Sequence, residues 1–152
     1  MPERSFQHAV TTATPISAVW GALDEPKSWE AIPGVDRVVN PTVDPSGRLR
    51  GFSFESVVGG RTYLGRATPA GREHEILMAW DIRTTEIKGR VTVGLNPTDD
   101  GTRVFVDLRV EGVGVLGSLF FPVIASAIGG GFVGAVEDFV QGLDSQESDS
   151  SS

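Results

Sequence analysis

Residues 112–117 read GVGVLG, and they open a passage, GVGVLGSLFFPVIASAIGGGFVGAV, that carries no charge from Gly112 to Val136. Three readings compete for it. Gly112, Gly114 and Gly117 spell the G-x-G-x-x-G of a dinucleotide-binding loop, whose glycines let the backbone approach a pyrophosphate. The length of the run would also suit a membrane span. The plainest reading is a joint between a strand and a long helix that covers a sheet. The nucleotide loop meets its local conditions, because a strand precedes the glycines and a helix follows. Its continuation fails: the helix runs into a polar tail with no parallel strand after it, and Glu137, about 20 positions on, falls inside the helix. A span is opposed by eight glycines through Gly142, by Pro122, and by the lack of any Lys or Arg beyond Arg109. Peripheral contact with a bilayer surface stays open. The covering helix remains, with Phe121, Ile124 or Ala125, Ile128, Phe132, Ala135 or Val136, Phe139 and Leu143 on one stripe. Its oddity is Gly129, Gly130 and Gly131, each costing on the order of 1 kcal/mol relative to alanine in a helix interior. Either the helix breaks there or something approaches closely.

Upstream of the joint, from Val35 to Glu111, the period is two. His74, Ile76, Met78, Trp80 and Ile82 alternate with Glu73, Glu75, Leu77, Ala79, Asp81 and Arg83. Ile87, Val91, Val93 and Leu95 follow, then Val104, Val106, Leu108 and Val110 after a turn at 96–101. Earlier runs lie at 36–43, 48–58 and 61–68. Such alternation marks antiparallel strands with one buried and one wet face. A strand over 4–12 begins the chain, with Phe6, His8 and Val10 on one side. After it, Thr14 as N-cap and Pro15 at the first helical position introduce a short helix bearing Ile16, Val19, Trp20 and Leu23. A second short helix runs from Pro26 through Trp29 and Ile32 and stops at Pro33 and Gly34. Seven strands, two short helices after the first of them and one long C-terminal helix make an α+β chain.

The chain has 152 residues, which suits a single domain. It contains no cysteine, which excludes a disulfide framework, a zinc ribbon and a thiol nucleophile. The polar start MPERSFQHAVTT lacks the apolar core of a secretory signal, so a cytoplasmic location is expected. The net charge of −7, with no stripe of Lys and Arg, predicts no nucleic-acid partner. Residues 144–152 supply three of the negative charges with no base or apolar anchor. They predict a disordered acidic, Ser-rich tail beyond a domain over 1–143.

The stretch ATPISAVWGALDEPKSWEAIPGV resembles the opening of the START-like (SRPBCC, birch-pollen-allergen-like) superfamily in its rhythm of Ala-Pro, Val-Trp, Leu-Asp, Trp and Pro-Gly. The second half, GGRTYLGRATP and IKGRVTVGLNPTDDGTRVFVDLRVEGVGVLG, resembles the polyketide cyclase/dehydrase-like proteins together with the carbon monoxide dehydrogenase G subgroup. The likeness covers residues 5–143. It implies a helix-grip fold, a seven-stranded antiparallel sheet curled round a long C-terminal helix with an apolar cavity between them. Members of the superfamily bind lipids, sterols, quinones, polyketides or plant hormones, and a minority catalyse cyclisation or dehydration.

Little in the sequence suggests catalysis. Of the two histidines, His74 shares the inward row with Met78 and Trp80, and His8 shares a row with Phe6 and Val10. Either could act as a base, but a histidine near a strand end is more often structural. No spacing suggests a metal site, since Glu73 and Glu75 point away from His74, and no G-x-S-x-G elbow occurs. No catalytic residue is assigned and no cofactor is expected. The single tyrosine, Tyr63, faces inward with Gly65 and Ala67 if the register leaves Arg66 in water, and a slip by one would reverse this. The inward register is favoured. The expected ligand-binding cavity is lined by Phe52, Phe54, Tyr63, Met78, Trp80, Val91, Val93, Val106, Ile128 and Phe132, while Trp20 and Trp29 read as packing groups of the short helices. Any one of these lining residues could equally be plain core. The mostly apolar rows point first to a carrier or sensor of a lipophilic small molecule such as a lipid, quinone or polyketide. A second reading is a polyketide cyclase/aromatase or dehydratase-like enzyme, favoured if Tyr63 and an arginine face each other across the cavity. A third is an interaction module, like redox-enzyme assembly factors or ribosome-binding toxins, which predicts an exposed apolar patch. The oligomeric state is left open.

Overall fold

Alternating apolar positions build the sheet, and the computed structural model describes residues 3–31, 35–58 and 60–150 of the chain. The elements are β1 (Glu3–Thr12), α1 (Ile16–Ala22), a 3-10 helix (Pro26–Ala31), β2 (Arg37–Val43), β3 (Leu49–Val58), β4 (Arg61–Glu73), β5 (Leu77–Arg83), β6 (Ile87–Thr98), β7 (Gly101–Gly112) and α2 (Gly114–Ser150). The strands form one seven-stranded sheet in the order β1-β7-β6-β5-β4-β3-β2, each neighbouring pair antiparallel. β2 to β7 are consecutive hairpins. β1 joins the far edge beside β7, so α1 and the 3-10 helix must carry the chain from one edge to the other. This is the α+β, helix-grip arrangement.

The period-two rows face as the sequence predicts. Val91, Val93 and Leu95 on β6 and Val104, Val106, Leu108 and Val110 on β7 are buried, while Lys88, Arg90, Arg103 and Arg109 between them are exposed. α2 lays Phe121, Ile124, Ala125, Ile128, Phe132, Val136, Val140 and Leu143 against the inner face and packs on β1, β7 and the 3-10 helix. Val140 takes a buried position and Phe139 only a partly buried one. The helix runs unbroken through the three glycines. Gly129 lies beneath the Phe6 ring, where a Cβ would stand 3.0 Å from the ring, whereas Gly130 and Gly131 face open space. α2 also continues through 144–150, where composition alone predicts an unstructured tail. Its outer side exposes Val115, Leu116, Leu119, Val123 and Val133. By length and composition, Phe121–Leu143 is long and apolar enough to cross a membrane.

The GVGVLG stretch is the joint. β7 ends at Gly112, and Gly114 takes φ +73°, a left-handed turn that favours glycine. The Val113 N–H donates to the Glu86 carbonyl at 2.8 Å. Gly117 rests against that same backbone, where a Cβ would collide with the Glu86 carbonyl oxygen. Gly114 therefore serves the turn and Gly117 the close packing of α2 on the rest of the chain.

Three local expectations are corrected. Thr14 does not cap α1: Pro15 stands at the N-cap, with no side-chain hydrogen bond. The Thr14 hydroxyl instead accepts a hydrogen bond from Thr12 Oγ1 at 3.0 Å, and its carbonyl accepts one from Thr102 Oγ1 at 2.9 Å, stitching the end of β1 to β7. The second correction lengthens the strand expected over 61–68. β4 runs on to Glu73, absorbing Pro69 and Gly71 in a bulge, and the chain reverses at 74–76 with Glu75 at φ 57°. Arg72 explains this, because its guanidinium grips Asp24 (Nη2 to Oδ1 2.6 Å, Nη1 to Oδ2 3.3 Å) and holds the strand extended past Pro69 and Gly71. His74 and Ile76 are consequently exposed rather than members of the inward row. The third concerns the strand pairing of β2, which bulges between Val39 and Val43 instead of alternating evenly. The helix stop expected at Pro33 and Gly34 lies outside the described residues.

Gly117→Ala is expected to destabilise the protein by roughly 1–3 kcal/mol, the usual cost of forcing a methyl group into a filled contact. Urea denaturation measures it, and an unchanged midpoint would contradict the close seating of α2.

Candidate functional site

The inner face presents the expected lining residues in two groups. Cross-strand register sets Trp80 opposite Val91, Met78 opposite Val93, and Val93 opposite Val106, so five of them form one continuous apolar surface on β5, β6 and β7. All five are buried. Phe52 and Phe54 join from β3, with the Phe52 ring 5.7 Å from Trp80 and 6.4 Å from Phe54. Phe54 sits so tightly over Gly65 of β4 that no side chain fits there. Ile128 and Phe132 close the surface from α2, Phe132 through the Phe6 ring at 5.8 Å.

Trp29 is the member that sequence reasoning assigned elsewhere. It reaches from the 3-10 helix onto this surface, stacked on Phe52 at 6.3 Å and edge-on to Trp80 at 5.9 Å. Its indole N–H donates to the Leu23 carbonyl at 2.8 Å, which fixes the ring. Trp80 is only 1% exposed, yet its Nε1 has no hydrogen-bond partner. A small cleft of about 180 Å³, lined in part by Leu49, Gly71, Arg72 and Met78, reaches Trp80.

Tyr63 stands apart from this group. It pairs with Ser56 on the side that carries Phe54, Gly65 and Ala67, while Arg66 is exposed, which is the register favoured from the sequence. Tyr63 itself is half-buried. The Arg61 guanidinium lies over its ring at 5.4 Å, and Arg61 Nη2 is 3.9 Å from Glu86 Oε1. Arg61 and Tyr63 therefore neighbour each other along one strand and do not face each other across a cavity. Burial raises the phenol's pKa above its ordinary 10.0, the Glu86 charge and hydrogen bond push the same way, and Arg61 opposes them. The alternation of the strands does not single out Glu86. It stands in the β5–β6 turn, where sequence reading expects an exposed acid, yet it is 7% exposed. No periodic signal could have found it.

Neither histidine joins the site. His74 is exposed and lies edge-on to Trp20 at 5.7 Å, and His8 Nε2 contacts Glu137 Oε1 on α2 at 3.3 Å. Among the described residues no cluster of His, Asp or Glu is arranged to hold a metal ion.

The chain has one tyrosine, so its ultraviolet absorbance titration reads Tyr63 alone. Its midpoint is expected above 10.0, and Glu86→Gln is expected to lower it towards that value. Because the folded-state pKa is the raised one, folding stability is full below the unfolded phenol's pKa and falls as pH rises through the folded one. A midpoint at or below the ordinary value would contradict this placement.

Comparison with known proteins agrees with this geometry. The ZhuI aromatase/cyclase from a Streptomyces strain is similar at TM-score 0.68 and 13% identity, over 95% of both chains. A START superfamily protein from Mycobacterium smegmatis is similar at TM-score 0.59 and 14% identity, over 83% of this chain and 94% of that one. A Thermus thermophilus protein is similar at TM-score 0.60 and 16% identity, over 99% of this chain and all of the other. At these identities the likeness is one of fold. No curated protein matches the sequence. Residues 3–144 match the family described as polyketide cyclase / dehydrase and lipid transport, and the chain belongs to that family.

Proposed function

We propose that this protein is a carrier or sensor of a lipophilic small molecule, held between the inner face of the sheet and α2. The observation that supports this best is the Trp80 indole. A buried N–H without an acceptor costs about 1–3 kcal/mol, and a carbonyl or ether oxygen on a ligand would relieve it. The surrounding wall of Trp29, Phe52, Met78 and Val91 is apolar and suits a hydrocarbon body. The cleft at Trp80 is smaller than the roughly 300–1,000 Å³ of ordinary ligand pockets, so entry requires α2 or the 3-10 helix to shift. The protein would work in the cytoplasm, a reading that rests on its cysteine-free composition. The exposed apolar side of α2 favours a bilayer surface as the place where ligand is exchanged. Kinship with the carbon monoxide dehydrogenase G subgroup belongs to the same proposal and rests only on the second half of the sequence.

A second reading, a polyketide cyclase-like enzyme, is favoured by the Arg61, Tyr63 and Glu86 group, which offers a phenol and a carboxylate to a ketone-bearing chain. The family description and the likeness to an aromatase/cyclase support it equally.

Titration with phenylnaphthylamine, a neutral apolar fluorophore, is expected to give a saturable rise in emission. Trp80→Phe keeps an aromatic ring and deletes the N–H. It is expected to weaken a carbonyl-bearing competitor by about five- to tenfold while leaving a plain hydrocarbon unaffected. Absence of saturable binding in the folded protein would refute the carrier reading.

A further inference from the structure

Glu86 is only partly compensated within the chain. Burying a carboxylate is costly unless hydrogen bonds or a counter-charge compensate. Tyr63 stands close enough for the Glu86 charge to act on its phenol, but Oε2 of the carboxylate is buried and has no hydrogen-bond partner. Oε1 has Arg61 at 3.9 Å, beyond hydrogen-bond range, and the Arg61 side chain is 58% exposed, so water screens much of that attraction. Yet the residue is held firmly. Its backbone N–H donates to Thr84 Oγ1 at 3.3 Å, its carbonyl accepts from Val113 at 2.8 Å, and Gly117 of α2 is pressed against it. With its backbone held from two sides and one buried carboxylate oxygen lacking a hydrogen-bond partner, Glu86 offers an acceptor on a firmly anchored residue.

From this we infer that Glu86 is the polar end of the ligand site and accepts a hydrogen bond from the hydroxyl of an aliphatic or phenolic alcohol. The inference rests on the carrier reading above and narrows its ligand class. The chemistry selects against the alternatives. A carboxylate ligand would bring a second negative charge against Glu86. An amine cation would meet the Arg61 guanidinium, which already covers Tyr63. A neutral O–H donor meets neither objection. Tyr63 stands beside the carboxylate on the inner face, and its half-exposed ring gives the first apolar contact for the ligand's body. From Tyr63 the row continues through Gly65 and Ala67, opposite Phe54 and Phe52, towards Trp80. Pro69, the partner of Trp80, lies six positions beyond Tyr63, which is about 20 Å of extended strand. The hydroxyl end and the Trp80 end are thus distinct places along one path.

Competition against bound phenylnaphthylamine tests this with two probes of equal chain length, decanol and decanoate. In the unaltered protein decanol is expected to compete about tenfold better than decanoate, the scale of one charge-assisted hydrogen bond gained or one repulsion avoided. Glu86→Gln, nearly isosteric, should bring the two probes to within about threefold of each other, chiefly by improving decanoate. Should that variant fold poorly by circular dichroism, Arg61→Gln at the exposed side chain provides the opposite test. It removes the positive charge beside the carboxylate and should widen the preference for decanol. Equal competition by both probes in the unaltered protein, or a preference that neither variant alters, would overturn the subsite and leave a water molecule as the partner of Oε2. In that case fluorophore binding would still stand and with it the carrier reading. Failure of the fluorophore to bind at all would overturn both.

Discussion

The seating of α2 on the β5–β6 turn governs the rest of this structure. An antiparallel sheet with one apolar face needs a cover, and here the cover is the last element of the chain, leaving β7 within a few residues. It can fold back onto the inner face only if its first turn comes very close to the neighbouring hairpin. Gly114 supplies the left-handed turn, Gly117 the missing side chain, and the Val113 N–H the hydrogen bond to the Glu86 carbonyl. With that contact made, Phe121, Ile124, Ile128 and Phe132 fall in register on the core. The same contact fixes Glu86 at the rim of the site. One packing constraint thus sets both the position of the lid and the position of the most unusual polar group.

The other half of the cover is built from different forces. α1 and the 3-10 helix are too short to hold themselves, as an isolated turn or two of helix is marginal in water. They are tied down by a partly buried ion pair between Asp24 and Arg72, in which Asp24 Oδ1 also accepts the Leu49 N–H at 3.1 Å and the Arg72 guanidinium lies over Trp20 at 5.5 Å. Trp29 then drops into the aromatic group around Phe52 and Trp80. The inner face therefore has a long helix gripping β1 and β7 and a short, polar-latched segment over the aromatic end. The short segment contributes Val19, Trp20, Leu23 and Trp29 to the buried core, fewer apolar side chains than the long stripe of α2.

Among the described residues three buried polar side-chain atoms lack a hydrogen-bond partner, Trp80 Nε1, Glu86 Oε2 and Asp107 Oδ1, and the first two differ in kind. Trp80 offers a donor inside an aromatic wall, and Glu86 offers an acceptor at the rim beside Tyr63. Native interiors rarely leave such groups unpaired, because each forfeits its hydration without compensation. Their placement on one inner face, at opposite ends of an apolar row, suits a molecule with a hydrocarbon body and polar ends. The convex side carries ion pairs such as Asp81 with Arg90 and Lys88 with Glu111, which solvate it and keep it from competing as an apolar surface.

How much of this was legible in the sequence follows from what periodicity reports. Alternation at 87–95 and 104–110 and the stripe from Phe121 to Leu143 state which side of each element is apolar, and the structure buries those sides. The apolar spacing of Ile16, Val19, Trp20 and Leu23 and the restart at Pro26 gave the order of the short helices, and the favoured register of Tyr63 followed from its neighbours Gly65 and Ala67. Periodicity does not say what covers an apolar side. The extension of β4 past Pro69 and Gly71 depends on Asp24, which lies 48 residues from Arg72. The entry of Trp29 among Phe52 and Trp80, and the burial of Glu86 beneath the start of α2, also depend on partners from other parts of the chain. The sequence by itself determined the elements, their apolar faces and the need for a glycine joint, because these are local properties of the backbone and of hydration. Only the tertiary structure decided strand order, the true turn at 74–76 and the unpaired groups of the site, because each arises where distant segments exclude water from one another.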